Sequence, residues 1–176
     1  MTASASRGAT SKARGDQWER ELDAYHARLT AAGVAWIVRV PTEARVMGST
    51  RVDARGRTTF PACWQARASV DFIGVVGSRC AAVEAKTCST ERWNFAQSLG
   101  APTAGRHADV EWSTLAHFHD VGGMAVVALD WNGAQWCVDF ADLRAVREGG
   151  AGSLSVEQLA PIARRITGPA WFRVQP

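Results

Sequence analysis

Two apolar runs meeting at Gly77-Ser78 constrain this chain more than any other feature of it. From Ser69 to Lys86 the sequence reads S-V-D-F-I-G-V-V-G-S-R-C-A-A-V-E-A-K. The branched and aromatic residues before the pair, and Cys-Ala-Ala-Val after it, have the character of buried strands. Gly followed by Ser suits a two-residue type II′ turn, in which glycine supplies φ > 0 at the first central position. That turn sets the register: Val76 opposes Arg79, so further down the hairpin Asp71 opposes Glu84 and Ser69 opposes Lys86. Side chains alternate between the faces of a strand, which puts all four on one face at the open end.

Opposed side chains in a sheet have Cβ atoms about 4.5–5.5 Å apart, where like charges destabilise the pairing. Two carboxylates at that separation call for a cation. Lys86 offsets part of the repulsion, and the two carboxylates with a hydroxyl and backbone carbonyls also compose the hard oxygen site that Mg²⁺ prefers. From the residues alone, an ion-paired strand end without chemistry stands as the competing reading.

The rest of the chain limits what such a site can serve. Its 176 residues suffice for one domain and its core. A formal net charge of +3 and a pI near 8.9 permit an anionic partner. The eight tryptophans suit a core or an interface, or stacking on bases. The four cysteines, Cys63, Cys80, Cys88 and Cys137, have neither C-x-x-C spacing nor His partners in a zinc pattern, and no secretory signal precedes them. They read as reduced thiols of a cytoplasmic protein. No apolar run approaches the roughly 18 residues of a membrane span. Walker, dinucleotide-binding, G-x-S-x-G and H-E-x-x-H patterns do not occur, so the chemistry is assigned to the hairpin.

In chain order, residues 1–14 are small, polar and lightly basic and read as a disordered arm, with Arg7, Lys12 and Arg14 able to touch phosphate. From Asp16 to about Ala32, Trp18, Leu22, Tyr25 and Leu29 form one helical stripe that Gly33 ends. Glu19 has two readings here: the partner of Asp16 in a capping box, or an extra carboxylate reaching the hairpin site. Val34 to Val40 is a strand. Arg45 to Arg67 lacks a core face but carries Arg45, Arg51, Arg55, Arg57 and Arg67 with Phe60 and Trp64 interleaved. It reads as an arm or β-ribbon suited to nucleic acid, or as an ordinary exposed hairpin. Thr87 to Arg106 is expected to be a loop anchored by Trp93 and Phe95. Asp109 is expected to cap a helix running through His119, on which Glu111 shares a stripe with Leu115 and Phe118. Met124 to Leu129 reads as a strand covered on both faces, turned at Asn132-Gly133 into Gln135 to Phe140. A short helix near Ala141 to Arg147 and a last helix from about Ser155 to Ile166, bent or delimited by Pro161, complete the expectation.

A first helix bearing a carboxylate, followed by strands with D-x12-E-x-K, resembles the PD-(D/E)XK nuclease superfamily, with Val70 where many members have Pro. The flanking segments narrow the likeness. V-P-T-E-A-R-V at Val40 to Val46, the arm, S-V-D-F-I-G-V-V, V-E-A-K-T, a helix and G-G-M-A-V-V together look like the RecU family of Holliday-junction resolvases, from about Gly15 to Phe140. The resemblance implies an α/β restriction-endonuclease-like fold: a mixed β-sheet flanked by helices, with residues 15–176 as one nuclease domain and a stalk inserted at about 45–67. It implies a homodimer that makes paired symmetric cuts in four-way DNA junctions during recombination and repair, using Mg²⁺, with Mn²⁺ able to substitute. Asp71 and Glu84 match the metal ligands, Lys86 the catalytic lysine, and Ser69 a ligand threonine. Glu19 matches the acidic residue of the first helix in related resolvases. Glu111 stands where the family carries a helix glutamine near the metal, a departure that adds charge to the site. The arm residues Arg45, Arg51, Arg55, Arg57, Phe60, Trp64 and Arg67 become the DNA-binding set. Two other readings stay open: a nuclease of this fold acting on duplex DNA or ends, and a non-catalytic DNA-binding protein.

Overall fold

The turn at Gly77-Ser78 forms with Gly77 at φ +58°, and Asn132 is the only non-glycine at positive φ among the described residues, so Ser78 takes the negative φ of a type II′ turn. The computed structural model describes the backbone of residues 3–41, 44–46, 51–52, 54, 58–59, 62–64, 69–103 and 107–172. Side chains within 3–11, 44–46, 51, 58–59 and 62–64 are not among the described parts.

The chain begins with helix α1 (Ala3–Ala31) and strand β1 (Ala35–Arg39). Four short strands follow: β2 (Ala44–Val46), β3 (Arg51–Val52), β4 (Thr58–Thr59) and β5 (Ala62–Trp64). The central hairpin is β6 (Phe72–Val76) and β7 (Arg79–Cys88). Beyond it come β8 (Arg92–Trp93), α2 (Phe95–Ser98), α3 (Val110–Asp120), β9 (Met124–Trp131) and β10 (Ala134–Asp139). The chain then forms α4 (Phe140–Glu148), β11 (Leu154–Ser155), α5 (Val156–Leu159) and β12 (Ala163–Ile166).

Six strands make one mixed sheet in the order β1-β6-β7-β9-β10-β12, in which only β7 and β9 run parallel. The hairpin register is the expected one, from Val76 opposite Arg79 to Phe72 opposite Val83. The turn at Asn132 (φ 51°) and Gly133 (φ 82°) likewise joins β9 to β10. The two faces of the sheet bury different cores. On one, Trp18, Leu22 and Leu29 of α1 pack over Ile37, Phe72, Val83, Val126 and Ala128. The Trp18 indole N–H donates to the Ala128 carbonyl at 2.8 Å, so its polar edge is satisfied inside that core. On the other face, Trp93, Phe95, Leu99, Trp112, Leu115, Phe140 and Leu143 cover Ala82, Val127 and Leu129. Helices α2 to α4 thus sandwich the sheet against α1, the mixed α/β architecture expected from the sequence.

Several boundaries differ from expectation for identifiable reasons. Helix α1 starts at Ala3, where residues 1–14 were expected to be a disordered arm. Once the Trp18–Leu29 stripe is docked, extending the helix through Ala-rich sequence needs only propagation, not nucleation. Arg14 then ties this extension down, donating to the Cys88 carbonyl at 2.9 Å and lying 3.7 Å from Asp130. Asp16 is consequently inside the helix and caps nothing. The expected loop after Thr87 contains β8 and α2, although Trp93 and Phe95 are the buried anchors the sequence suggests. The expected last helix stops at Leu159, and Ala163–Ile166 forms β12 against β10 instead. Pro161 prevents continuation of the helix, and β10 would otherwise be an unpaired edge. Among the described residues, Cys80, Cys88 and Cys137 are free thiols, and no helix is long and apolar enough to cross a membrane.

Candidate active site

The β6–β7 ladder stops at Phe72–Val83, while β7 runs on to Cys88 beside β9. Side chains take over where the backbone pairing ends. The Asp71 backbone N–H donates to Glu84 Oε2 at 3.1 Å, and the Ala85 N–H donates to Asp71 Oδ2 at 2.8 Å. On the other side the Val40 N–H donates to the Asp71 carbonyl at 2.8 Å, fixing Asp71 between two strands. The two carboxylates therefore meet at the open end of the hairpin as the turn register requires.

Lys86 Nζ lies 2.5 Å from Glu84 Oε1 and 3.1 Å from Glu111 Oε2. Glu111 reaches it from the first turn of α3, whose N-cap is Asp109 as expected. The cluster is largely withdrawn from water: Glu84 is 2% exposed, and the Lys86 and Glu111 side chains are 20% exposed. Burial pushes the Glu84 carboxyl up to about 8, the charges of Asp71 and Glu111 push the same way, and Lys86 opposes them. Burial also raises Asp71, against the Ala85 N–H and the charges of Lys86 and Arg39. Burial alone would depress Lys86, but Glu84 and Glu111 outweigh it and hold the ammonium above its ordinary value. Lys86 is therefore a fixed positive charge.

The other candidates separate. Ser69 lies beyond the last backbone pair and, among the described residues, makes no hydrogen bond to the cluster. Its expected place opposite Lys86 is lost because pairing gives way to side-chain contacts at Asp71. Glu19 is ion-paired with Arg39, which also lies 3.5 Å from Asp23. Arg39 is the site-proximal residue that sequence reasoning missed. The signal was available: Glu19 and Asp23 stand four apart on α1, and β1 alternation turns Ala35, Ile37 and Arg39 toward that helix. In the arm, between β1 and β6 in the chain, β2 pairs with β5 and β3 with β4, each pair antiparallel. Arg55, Arg57, Phe60 and Arg67, and the side chains of Arg45, Arg51 and Trp64, lie outside the described residues.

Among the described residues no three His, Cys, Asp or Glu side chains converge as a ready-made metal cluster. Mg²⁺, however, is commonly held by one or two carboxylates, with water and substrate phosphate completing its shell. Asp71 and Glu84 fit that half-site. Asp71 Oδ2 is engaged by an N–H while Oδ1 is not, each Glu84 oxygen keeps a second lone pair, and a divalent cation would offset the burial both carboxylates suffer.

Two comparisons of the sequence, with protein-family models and with curated proteins, find no match. Among solved structures the chain is similar to Hjc, a Holliday junction resolvase from the archaeal hyperthermophile Archaeoglobus fulgidus. The TM-score is 0.46 and the identity 14%, covering 87% of this chain and 92% of that one.

Proposed function

We propose that this protein is a Mg²⁺-dependent, structure-selective DNA endonuclease that resolves four-way junctions. The observation that carries the reading is the buried junction of Asp71 and Glu84 with Lys86 on the same face, a costly arrangement for a fold that needs it only for stability. Asp71 and Glu84 hold the cation. The chemistry such an ion supplies when bound is a water of lowered pKa and neutralisation of charge on the phosphate oxygens. Lys86, held protonated by its two carboxylates, acts as a hydrogen-bond donor and positive charge toward the scissile phosphate, not as a base. Arg39 links Glu19 to the neighbourhood of Asp71 and sets the charge balance on the α1 side. The arm is inserted in the chain between β1 and β6, and its arginines suit a branched, anionic partner. Two symmetric cuts require two such sites, so the acting species is a homodimer about a two-fold axis.

The test is to incubate the protein with labelled four-way junction, duplex and single strands, with Mg²⁺, with Mn²⁺ and with neither. Paired symmetric nicks confined to the junction and dependent on metal are expected. Equal cutting of duplex would move the assignment to a duplex or end nuclease of the same architecture, and binding without cutting would leave a DNA-binding protein. Mixing wild-type and Glu84→Gln chains should give hybrids that nick one strand without resolving the junction; full resolution by a monomer would refute the dimer.

A further inference from the structure

Lys86 is held by two carboxylates from different elements, and only one belongs to the D-x12-E-x-K signature. We propose that the other, Glu111, is a positioning residue that clamps the Lys86 ammonium and is not a metal ligand. The inference rests on the nuclease reading and adds a role that the sequence pattern does not assign.

The chain's 20 cationic residues comprise 18 arginines and two lysines, Lys12 and Lys86. Lysine is thus the exception here, and the one at position 86 sits in the cluster. A lysine side chain is a flexible four-carbon stem ending in three equivalent donors, and holding it in one place costs rotamer freedom. Glu84 Oε1 at 2.5 Å and Glu111 Oε2 at 3.1 Å take two of those donors. With the Cε–Nζ bond and two N–H directions set by β7 and α3, tetrahedral geometry fixes the third N–H as well. One acceptor alone would leave the ammonium free to rotate about its contact.

Glu111 also resolves a conflict within the cluster. Glu84 is both the nearest partner of Lys86 and one of the two carboxylates suited to a divalent cation. When a cation draws on the Glu84 oxygens, the lysine loses part of its hold there. Glu111, anchored in the first turn of α3, keeps it. The ammonium lies between Glu84 and Glu111, which separates Glu111 from the Asp71–Glu84 pair. Consistent with that separation, the three acids do not converge as a metal-binding group among the described residues.

The two-lysine composition makes the test direct. Limited acetylation with acetic anhydride, read by peptide mass spectrometry on the metal-free, DNA-free protein, reports Lys86 against exposed Lys12 as an internal reference. Glu111→Ala should raise the Lys86-to-Lys12 ratio about fivefold, and Glu111→Gln, whose amide oxygen still accepts an N–H, should raise it less. Mn²⁺ affinity measured by calorimetry should stay within about twofold of wild type in Glu111→Gln, because Asp71 and Glu84 supply the carboxylates of the half-site. Junction cleavage should show kcat falling about tenfold in Glu111→Ala at unchanged KM, with partial rescue in Glu111→Gln. An unchanged acetylation ratio in Glu111→Ala, or a tenfold fall of Mn²⁺ affinity in Glu111→Gln, overturns the proposal. If Glu111→Ala raises the acetylation ratio as expected but the wild-type protein cuts no DNA, the nuclease reading is overturned and the clamp stands.

Discussion

Acidification should unfold this protein partly through one buried side chain outside the Asp71–Glu84–Lys86 cluster, His26. It is 2% exposed, its Nε2 accepts the Trp171 indole N–H at 2.8 Å, and its ring meets Phe72 edge-on at 4.6 Å between centroids. Nδ1 is buried without a hydrogen-bond partner among the described residues. Burial lowers the pKa from 6.5 to about 4, because an imidazolium would be desolvated and would turn an N–H against the donor of Trp171. The proton therefore prefers the unfolded chain. The stability that neutral His26 contributes is complete above the unfolded pKa of 6.5 and declines as pH falls from there toward about 4. The full span corresponds to about 3 kcal/mol, at about 1.4 kcal/mol per unit, and by pH 5 about 2 kcal/mol of it is gone. Asp71 and Glu84 contribute with the opposite sign, since their raised pKa values favour the fold at low pH and the benefit is lost as pH rises. A difference measurement removes them. Urea unfolding followed by tryptophan fluorescence at about pH 8, 6.5 and 5 should show wild type losing about 2 kcal/mol more than His26→Gln across that range, at equal m-values. Gln still accepts the Trp171 N–H but does not titrate. Parallel pH profiles for the two proteins, within about 0.5 kcal/mol, would refute the reasoning.

Asp71→Asn and Glu84→Gln should each reduce Mg²⁺-dependent junction cleavage about a thousandfold, several kcal/mol of transition-state stabilisation, while binding in gel shifts survives or tightens; full activity in either would remove the site assignment. Glu84→Gln should also raise the melting temperature at pH 8, because burial and the charges of Asp71 and Glu111 disfavour the ionised Glu84, Glu111 still neutralises Lys86, and Gln retains an acceptor for the Asp71 N–H. Replacing Arg51, Arg55 and Arg57 with Ala should lower the log–log salt slope of junction binding by about three, one per phosphate contact, with the circular dichroism of the core unchanged. Leu22→Ala, at a position with no exposed surface between α1 and the sheet, should cost about 3 kcal/mol in denaturant titrations.

What the sequence determined by itself is what short-range physics controls. Glycine at Gly77 and Asn-Gly at position 132 admit only certain turns, and a two-residue turn dictates the pairing of everything on both sides of it. The meeting of Asp71 with Glu84 was therefore legible without coordinates. So were the stripe of Trp18, Leu22 and Leu29 on α1 and the capping of α3 by Asp109, because helical spacing and end chemistry are local. Tertiary structure decided the choices that depend on which edges and charges lie unpaired. Ala163–Ile166 became a strand because β10 offered an open edge beyond Pro161. Glu19 found Arg39 instead of a capping role, because α1 had extended past Asp16 and β1 brought a cation beneath it. Lys86 acquired its second carboxylate only when the parallel docking of β7 on β9 carried α3 across that face of the sheet. Turns and periodicities act over a few residues, whereas partners from distant segments are set by the folded sheet, where burial makes an unpaired charge or backbone edge costly.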